Sequence, residues 1–107
     1  MRIRKENDDL QEDDILLIAN VSDALAHPAR VRIFRFIIRK NAAGIPVCNK
    51  DVVAEFNYSQ ATISQHIKRL IKSELIRVEK KDRFSYYSAD LDLLGWYIEA
   101  IRRIEEF

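Results

Sequence analysis

The sequence contains few of the residues that break helices, glycine and proline, and almost no cysteine for disulfide bonds. It has two glycines, two prolines and one cysteine among 107 residues. Few glycines and prolines argue against a loop-rich or all-β fold, and a single cysteine excludes an internal disulfide framework. No apolar run approaches the roughly 18–20 residues that a membrane helix needs, and the N-terminus has no apolar signal core. These absences predict a cytoplasmic chain with no membrane partner.

The residue groups on which catalysis and metal binding depend are also missing. The two histidines, His27 and His66, are not accompanied by a nucleophile or by other metal ligands at a useful spacing. No glycine-rich phosphate loop occurs. We therefore expect that the chain is not an enzyme and needs no cofactor.

Length and charge indicate one domain with an uneven charge distribution. Hydrophobic residues make up 48% and charged residues 33% of the chain, as in a globular domain. The net charge is +1, but residues 1–14 contain three bases and six acids, so they carry −3 and the remainder carries +4. We interpret residues 1–12 as a polar arm and 13–107 as the domain. Such an asymmetry is typical of DNA-binding proteins.

The stretch 49–73 predicts two short helices separated by a tight turn. The first begins at Asn49, and Ser59 is a good N-cap for the second. Apolar residues recur in 59–73 at the spacing of one helix face: Ile63, Ile67, Leu70 and Ile71. The opposite face has no acid and consists of Gln60, Thr62, Ser64, Gln65, Lys68, Arg69 and Lys72.

The composition of that opposite face favours DNA binding. Hydroxyl and amide side chains in the first two turns suit base edges in a major groove, and the cations that follow suit phosphates. An ordinary solvated helix face is the alternative. Solvated faces usually mix Glu with Lys, however, and here the first Glu comes at position 74.

The period after Glu74 changes to that of a β-hairpin. Apolar and polar residues alternate in 75–81 and in 84–88, and Lys81-Asp82-Arg83 has the composition of a turn. Lys80, Lys81 and Arg83 would lie at the tip. Cations there either protect an edge strand from aggregation or contact DNA phosphates as a wing. We favour the wing because the hairpin directly follows the helix 59–73.

Three more helices complete the prediction. One runs from about Asp13 to Ala26 and is capped by Asp13 or Asp14. The next, Ala29–Lys40, follows His27-Pro28, with His27 interpreted as a capping or packing residue. We expect its arginines to face outward and its apolar residues to face the core; these are Val31, Ile33, Phe34, Ile37 and Ile38.

The closing helix lies within 89–107 and is capped by Asp90. Together with the first helix it has more apolar surface than one small core can bury. We therefore expect these two helices to form a homodimer interface. The residues assigned to it are Ile15, Ile18, Leu94, Tyr97, Ile98 and Ile101.

The predicted fold is mainly α with a β-hairpin (α+β), in the order α-α-α-α-β-β-α. Three segments of it resemble the ArsR/SmtB family of winged helix-turn-helix repressors. ALAHPARVRIFRFI at 24–37 resembles the family's ALADPTRRRIL segment, and SQATISQHIKRL at 59–70 matches its recognition-helix pattern. KDRFSYYS at 81–88 resembles its wing. The resemblance covers about residues 13–107.

The resemblance implies a sequence-specific transcriptional regulator. It would be a homodimeric repressor that places helix 59–73 in the major groove of an imperfect palindrome in double-stranded operator DNA, with hairpin 75–88 as its wing. We expect DNA contacts from Ser59, Gln60, Thr62, Ser64, Gln65, His66, Lys68, Arg69, Lys80, Lys81 and Arg83. The alternative is a winged helix that contacts another protein and has no sequence-specific DNA binding.

Departures from the family concern its metal sites and turns. Where many metal-sensing members have Cys-Val-Cys, this chain has Cys48 and Lys50, and the closing helix has no histidine. Metal sensing is therefore not expected. Cys48 is either a small residue at a helix entrance or a reactive thiol sensor beside Lys50. Glu74 and Asp82 stand where the family usually has glycine. The effector stays open: a small organic molecule, a thiol-reactive signal, or none.

Overall fold

The computed structural model describes residues 10–106, so residues 1–9 of the expected arm and Phe107 lie outside it. Within the described range the predicted order of elements is confirmed. The helices are α1 (Glu12–Ala24), α2 (Pro28–Ala42), α3 (Asn49–Glu55), α4 (Gln60–Lys72) and α5 (Leu91–Ile104). The strands are β1 (Ile76–Lys81) and β2 (Phe84–Ala89).

Three helix N-termini have the caps that the sequence predicts. The Ser59 hydroxyl accepts a hydrogen bond from the N–H of Thr62 at 3.1 Å, and the Asp90 carboxylate accepts one from Leu93 at 3.0 Å. Nδ1 of His27 accepts one from Ala29 at 3.1 Å. Each side chain satisfies a backbone donor that the first helical turn leaves free.

The starts of α1 and α3 differ slightly from the prediction. The N-cap of α1 is Gln11, two residues before Asp13 and three before Asp14. The N-cap of α3 is Cys48, one residue before Asn49. The acids lie in the first turn instead and reach back: Asp14 accepts from the N–H of Gln11 at 3.3 Å, and Asp51 from the N–H of Cys48 at 2.8 Å. A carboxylate in this position also interacts favourably with the helix dipole.

The core lies where α2, α3 and α4 meet the base of the hairpin. Ile33 and Ile37 of α2, Ile63 and Leu70 of α4, and Ile76 of β1 are almost completely buried. The apolar stripe predicted for α4 therefore faces the core as expected. Val31 was wrongly assigned to the core, since 47% of it is exposed. It lies two residues before Ile33 and so on another side of α2.

The strands form an antiparallel hairpin in which Ile76 lies opposite Ala89 and Lys81 opposite Phe84. Only Asp82 and Arg83 stand between the paired residues. Glu74, which precedes the hairpin, and Asp82 have φ values of 69° and 60°. Both residues adopt the left-handed backbone conformation that glycine adopts most easily. The two turns therefore have the backbone conformation expected for glycine, although neither residue is glycine.

The terminal helices α1 and α5 lie against each other. The Ser22 hydroxyl is 2.9 Å from the Tyr97 hydroxyl, and Arg103 Nη1 donates to Asp14 Oδ1 at 3.2 Å. These contacts join the beginning of the domain to its end. No helix among residues 10–106 is both long and apolar enough to cross a membrane.

Candidate nucleic-acid interface

The acid-free face predicted for α4 is exposed along its whole length. The polar side chains assigned to it all lie in solvent: Gln60, Thr62, Ser64, Gln65, Lys68, Arg69 and Lys72. We call this set the α4 face. Hydrogen-bonding groups occupy its N-terminal half and cations its C-terminal half, so the order of chemical types along the helix is as the sequence predicts.

Two hydroxyls organise the beginning of the α4 face. Ser59 Oγ accepts from the N–H of Thr62 and donates to Thr62 Oγ1 at 3.0 Å. Because Thr62 Oγ1 accepts here, its own proton remains available to an outside acceptor. The cap thus fixes the side chains of Ser59 and Thr62 and leaves the Thr62 hydroxyl as a donor on the helix surface.

The cations of the α4 face differ in their partners. Arg69 forms an ion pair with Asp23 at the end of α1, and both side chains are partly exposed. Lys68 has no carboxylate partner among residues 10–106. Arg69 therefore ties α4 to α1, whereas Lys68 is available to an anion from outside.

His66 was expected among the DNA contacts, but its side chain is buried. Its Nδ1 lies 3.3 Å from Arg30 Nη1, and its ring centroid lies 4.7 Å from that of His27. Burial, followed by His27 and Arg30, lowers the pKa of His66. The sequence spacing indicates this burial, because His66 follows Ile63 by three residues and precedes Leu70 by four and so lies on the apolar stripe of α4.

Arg30, like Val31, lies on a different side of α2 from the one predicted from the sequence. It is 9% exposed rather than outward-facing. Its guanidinium donates to the carbonyl of Ala24 at 2.7 Å and to that of Asp23 at 3.3 Å, at the C-terminus of α1. A cation at this end satisfies carbonyls that have no partner within the helix. Its spacing of seven residues from Ile37 places it on the inner face.

The hairpin tip presents cations close together in solvent. Lys80, Lys81 and Arg83 are exposed, and none of them forms an ion pair with any other described residue. At the base of the hairpin Arg77 is paired with Asp90 at 2.8 Å. The N–H of Leu93, followed by the Arg77 side chain, holds the pKa of the Asp90 carboxyl below its usual value. Within the described hairpin, the tip cations are therefore available to another anion, whereas Arg77 is already paired.

One cation beside the hairpin was not assigned from the sequence. Lys50 Nζ lies 5.4 Å from the centre of the Phe84 ring, a cation–π distance. This contact places the first turn of α3 next to the outer end of β2. No sequence pattern pairs these residues, because the contact depends on how the hairpin folds back over α3.

Comparison with known sequences identifies the type of domain. The model of a family described as "Helix-turn-helix domain" matches residues 25–79, just over half of the chain. This range includes α2, α3, α4 and the first part of β1. The chain belongs to this helix-turn-helix family.

Relatives of this helix-turn-helix protein agree with the predicted ArsR/SmtB resemblance, which is confirmed. The transcriptional repressor SdpR of Bacillus subtilis (strain 168) is 28% identical over 88 residues, which cover 78% of this chain and 92% of SdpR. An ArsR-like transcriptional regulator from Rhodococcus sp. RHA1 is 21% identical and superposes with a TM-score of 0.75. That alignment covers 86% of this chain and 82% of the Rhodococcus chain.

A third relative is described as homodimeric. It is the winged helix-turn-helix DNA-binding domain (fragment 1–100) of Mb0332 from Mycobacterium bovis, with a TM-score of 0.63 and 13% identity. The alignment covers 100% of this chain and 94% of that fragment. At 21% and 13% identity, the Rhodococcus and Mb0332 structures establish the fold alone: four helices, a hairpin and a closing helix.

The terminal helices of this helix-turn-helix protein expose a large apolar surface. Of the residues predicted for a dimer interface, Ile15, Ile98 and Ile101 are 39–46% exposed, and Ile18, Leu94 and Tyr97 are half-buried. Leu16 and Trp96 add further exposed apolar area at 52% and 62%. We call these residues together the α1–α5 face.

Cys48 is buried, and its thiol lies 3.2 Å from a carboxylate oxygen of Asp51. The N–H and the thiol of Cys48 hold the pKa of the Asp51 carboxyl below its usual value. Reactive cysteines are usually partly exposed, whereas this thiol is buried and donates a hydrogen bond at the start of α3. This environment favours the structural interpretation of Cys48. In residues 10–106 no three His, Cys, Asp or Glu side chains are grouped as metal ligands.

Proposed function

We propose that this helix-turn-helix protein is a sequence-specific transcriptional repressor that binds double-stranded operator DNA as a homodimer. One observation carries the proposal. The α4 face has no acid, and the cations at the hairpin tip have no carboxylate partner in the described part of the chain. A helix with hydrogen-bonding groups followed by cations suits base edges and phosphates together.

Residues of the α4 face divide by chemical type. We assign base contacts to Gln60, Thr62, Ser64 and Gln65, because amide and hydroxyl groups can pair with the donors and acceptors of base edges. Ser59, Lys68 and Arg69 are assigned to phosphates, with Arg69 exchanging its partner Asp23 for the DNA. His66 is removed from the set because its ring is buried.

The hairpin is the wing in this proposal. Lys80, Lys81 and Arg83 contact the DNA backbone beside the site occupied by α4. Such contacts release counterions and add affinity for any sequence. The wing thus supplies affinity, and the α4 face supplies the preference for particular base pairs.

Dimerisation through the α1–α5 face would place two copies of α4 on one side of the duplex. Two-fold symmetry then predicts an imperfect palindrome whose half-sites are about one helical turn apart. The exposed apolar area on α1 and α5 supports this arrangement, as does the homodimeric state of the relative Mb0332. The expected cytoplasmic location and the absence of metal sensing and of catalysis are part of the same proposal.

Selection of bound fragments from random duplex DNA tests the proposal directly. The purified full-length chain is incubated with the pool at moderate salt, and bound fragments are amplified and sequenced over several rounds. We expect enrichment of one motif with two inverted half-sites. No enriched motif, together with salt-independent or absent DNA binding, would contradict the proposal and favour the alternative, a winged helix that contacts another protein.

A further inference from the structure

The outer side of α2 forms a groove with α3 that the proposed DNA contacts do not use. Its volume is about 590 Å³, within the roughly 300–1,000 Å³ of typical small-molecule sites. Four cations line it, together with the acid Glu55. These cations are Arg32, Arg35, Arg39 and Lys40. We call it the α2–α3 groove.

The groove cations form no ion pair with a carboxylate of the described residues. Arg32 donates to the hydroxyl of Tyr58 at 3.4 Å, and Lys40 Nζ lies 5.6 Å from the centre of the Phe36 ring. Arg35 and Arg39 are exposed. Several cations along one low-dielectric wall create a positive potential that concentrates anions. The charge of the groove therefore suits an anionic ligand.

The floor and rim of the groove are apolar. Phe36 and Phe56 meet edge to face with ring centroids 5.6 Å apart. Val31 and Ile45 lie at the rim and are 47% and 46% exposed. An inorganic anion would leave this apolar surface in water, whereas a ligand with an apolar body would cover it.

We propose that the α2–α3 groove binds an amphipathic organic anion, with an apolar body and a carboxylate or a similar oxyanion group. The apolar body lies on Phe36 and Ile45. The oxyanion accepts hydrogen bonds from Arg35 and Arg39, whose planar guanidinium groups match two oxygens at once. Size, charge and apolar lining agree on this class of ligand and disfavour a simple phosphate ion or a cation.

The groove is linked to α4 by aromatic contacts. Phe56 is stacked on Tyr58 with ring centroids 6.1 Å apart, and Tyr58 lies edge-on to His66 at 6.3 Å. A ligand that moved Phe56 would therefore act on the residues that precede and support the α4 face. An effect on DNA affinity rests on the function proposed above, whereas binding of the anion in the groove does not.

The test uses decanoate as the probe and the full-length chain labelled for ¹H–¹⁵N NMR. Decanoate is titrated below its micelle concentration, and decyltrimethylammonium and acetate are titrated in parallel. We expect saturable shifts at the amides of Arg35, Phe36 and Ile45 with decanoate. Decyltrimethylammonium and acetate should each produce much weaker shifts. The first lacks the negative charge, and the second lacks the apolar tail.

Two matched variants locate the site. Arg35→Glu should weaken decanoate binding at least about tenfold, since a charge-assisted hydrogen bond is replaced by repulsion. Lys72→Glu makes the same change of charge at an exposed residue that does not line the groove. It should alter affinity by less than about twofold, because an exposed charge that makes no contact is screened. The second variant separates a local contact from an effect of net charge.

Several outcomes would overturn the proposal. Decanoate shifts confined to the α1–α5 face would place the ligand elsewhere, and equal shifts with the ammonium compound would remove the role of charge. Groove shifts with duplex DNA but not with decanoate would make the groove part of the nucleic-acid surface. Failure to select an operator while decanoate binds would count against the proposed function alone.

Discussion

Arg30 of α2 and His66 of α4 meet in the interior, with Nη1 of the guanidinium 3.3 Å from Nδ1 of the imidazole. A guanidinium can only donate, so Nδ1 accepts and the ring is neutral with its proton on Nε2. The same guanidinium holds the last carbonyls of α1. One side chain thus connects α1, α2 and the helix proposed to contact DNA.

The first prediction concerns pH. The pKa of His66 is lowered from the usual 6.5 in the folded chain, so the unfolded chain binds a proton more readily. The contribution of His66 to stability is therefore complete above pH 6.5 and decreases as the pH falls below it towards the folded pKa. The loss for one proton is at most about 1.4 kcal/mol per pH unit.

Chemical denaturation between pH 5 and 8 measures this effect. In His66→Gln the amide oxygen can accept from Arg30 but does not titrate. We expect the stability of the original chain to fall relative to that of the variant below pH 6.5. Parallel curves for the two proteins would mean that His66 does not contribute to the pH dependence.

The second prediction concerns Arg30 itself. Arg30→Ala removes the donor to the carbonyl of Ala24 and leaves Nδ1 of His66 without a partner. The carbonyl of Asp23 loses one of its two donors and keeps the N–H of Ala26 at 3.3 Å. We expect a loss of about 2–3 kcal/mol in the free energy of unfolding, since hydrogen bonds to charged groups are the stronger ones. Arg39→Ala is the control, because Arg39 is exposed and forms no ion pair in the described range. It should change stability by less than about 0.5 kcal/mol.

The errors at Arg30 and His66 show which side-chain locations could not be predicted from residue type. Helix periodicity, apolar content and capping residues located the five helices of residues 10–106, and residue chemistry assigned exposed polar residues to the α4 face correctly. Residue chemistry gave the wrong location for Arg30 and His66, which lie on the buried sides of their helices. Their hydrogen-bond partners come from other helices, and the sequence does not show those contacts. The spacing of Arg30 from Ile37 and of His66 from Ile63 contained the correct answer.

The α2–α3 groove could not be predicted in the same way. The arginines of α2 were expected to face outward, but a cavity requires the position of α3 relative to α2. That position depends on contacts such as Phe36 against Phe56, which are 20 residues apart in the chain and follow no periodic pattern. Likewise the contact of Lys50 with Phe84 exists only after the hairpin has folded.

The third prediction tests backbone strain before the hairpin. Glu74 has a φ of 69°, a conformation that costs a residue with a Cβ about 1–2 kcal/mol and glycine very little. Glu74→Gly should raise the free energy of unfolding by about 0.5–1 kcal/mol after the added entropy of the unfolded chain is subtracted. Lys72→Gly, in the last turn of α4, should instead lower it by a similar amount. Equal effects of the two glycines on thermal denaturation would argue against strain at Glu74.

The fourth prediction tests the α1–α5 face. Ile98→Glu places a charge on a residue that is 46% exposed in the single chain and would be buried in the proposed dimer. We expect sedimentation equilibrium to show at least a tenfold weaker dimer, because burying an unpaired carboxylate is costly. Val31→Glu is matched in exposure, at 47%, and should leave association unchanged. Equal behaviour of the two variants would place the interface elsewhere.

The fifth prediction separates sequence preference from general affinity for DNA. Gln65→Ala should cost about 1–3 kcal/mol on the selected operator and relax the preference at one or two base pairs, because a base-edge contact is lost. Lys81→Ala should weaken specific and random duplexes by similar factors and reduce the slope of log K against log salt by about one, because one phosphate contact is lost. Fluorescence anisotropy over a range of salt concentrations measures both quantities. Because Gln65 is uncharged, its substitution should leave the salt slope intact. Identical losses on operator and random DNA for both variants would mean that the α4 face does not distinguish base pairs.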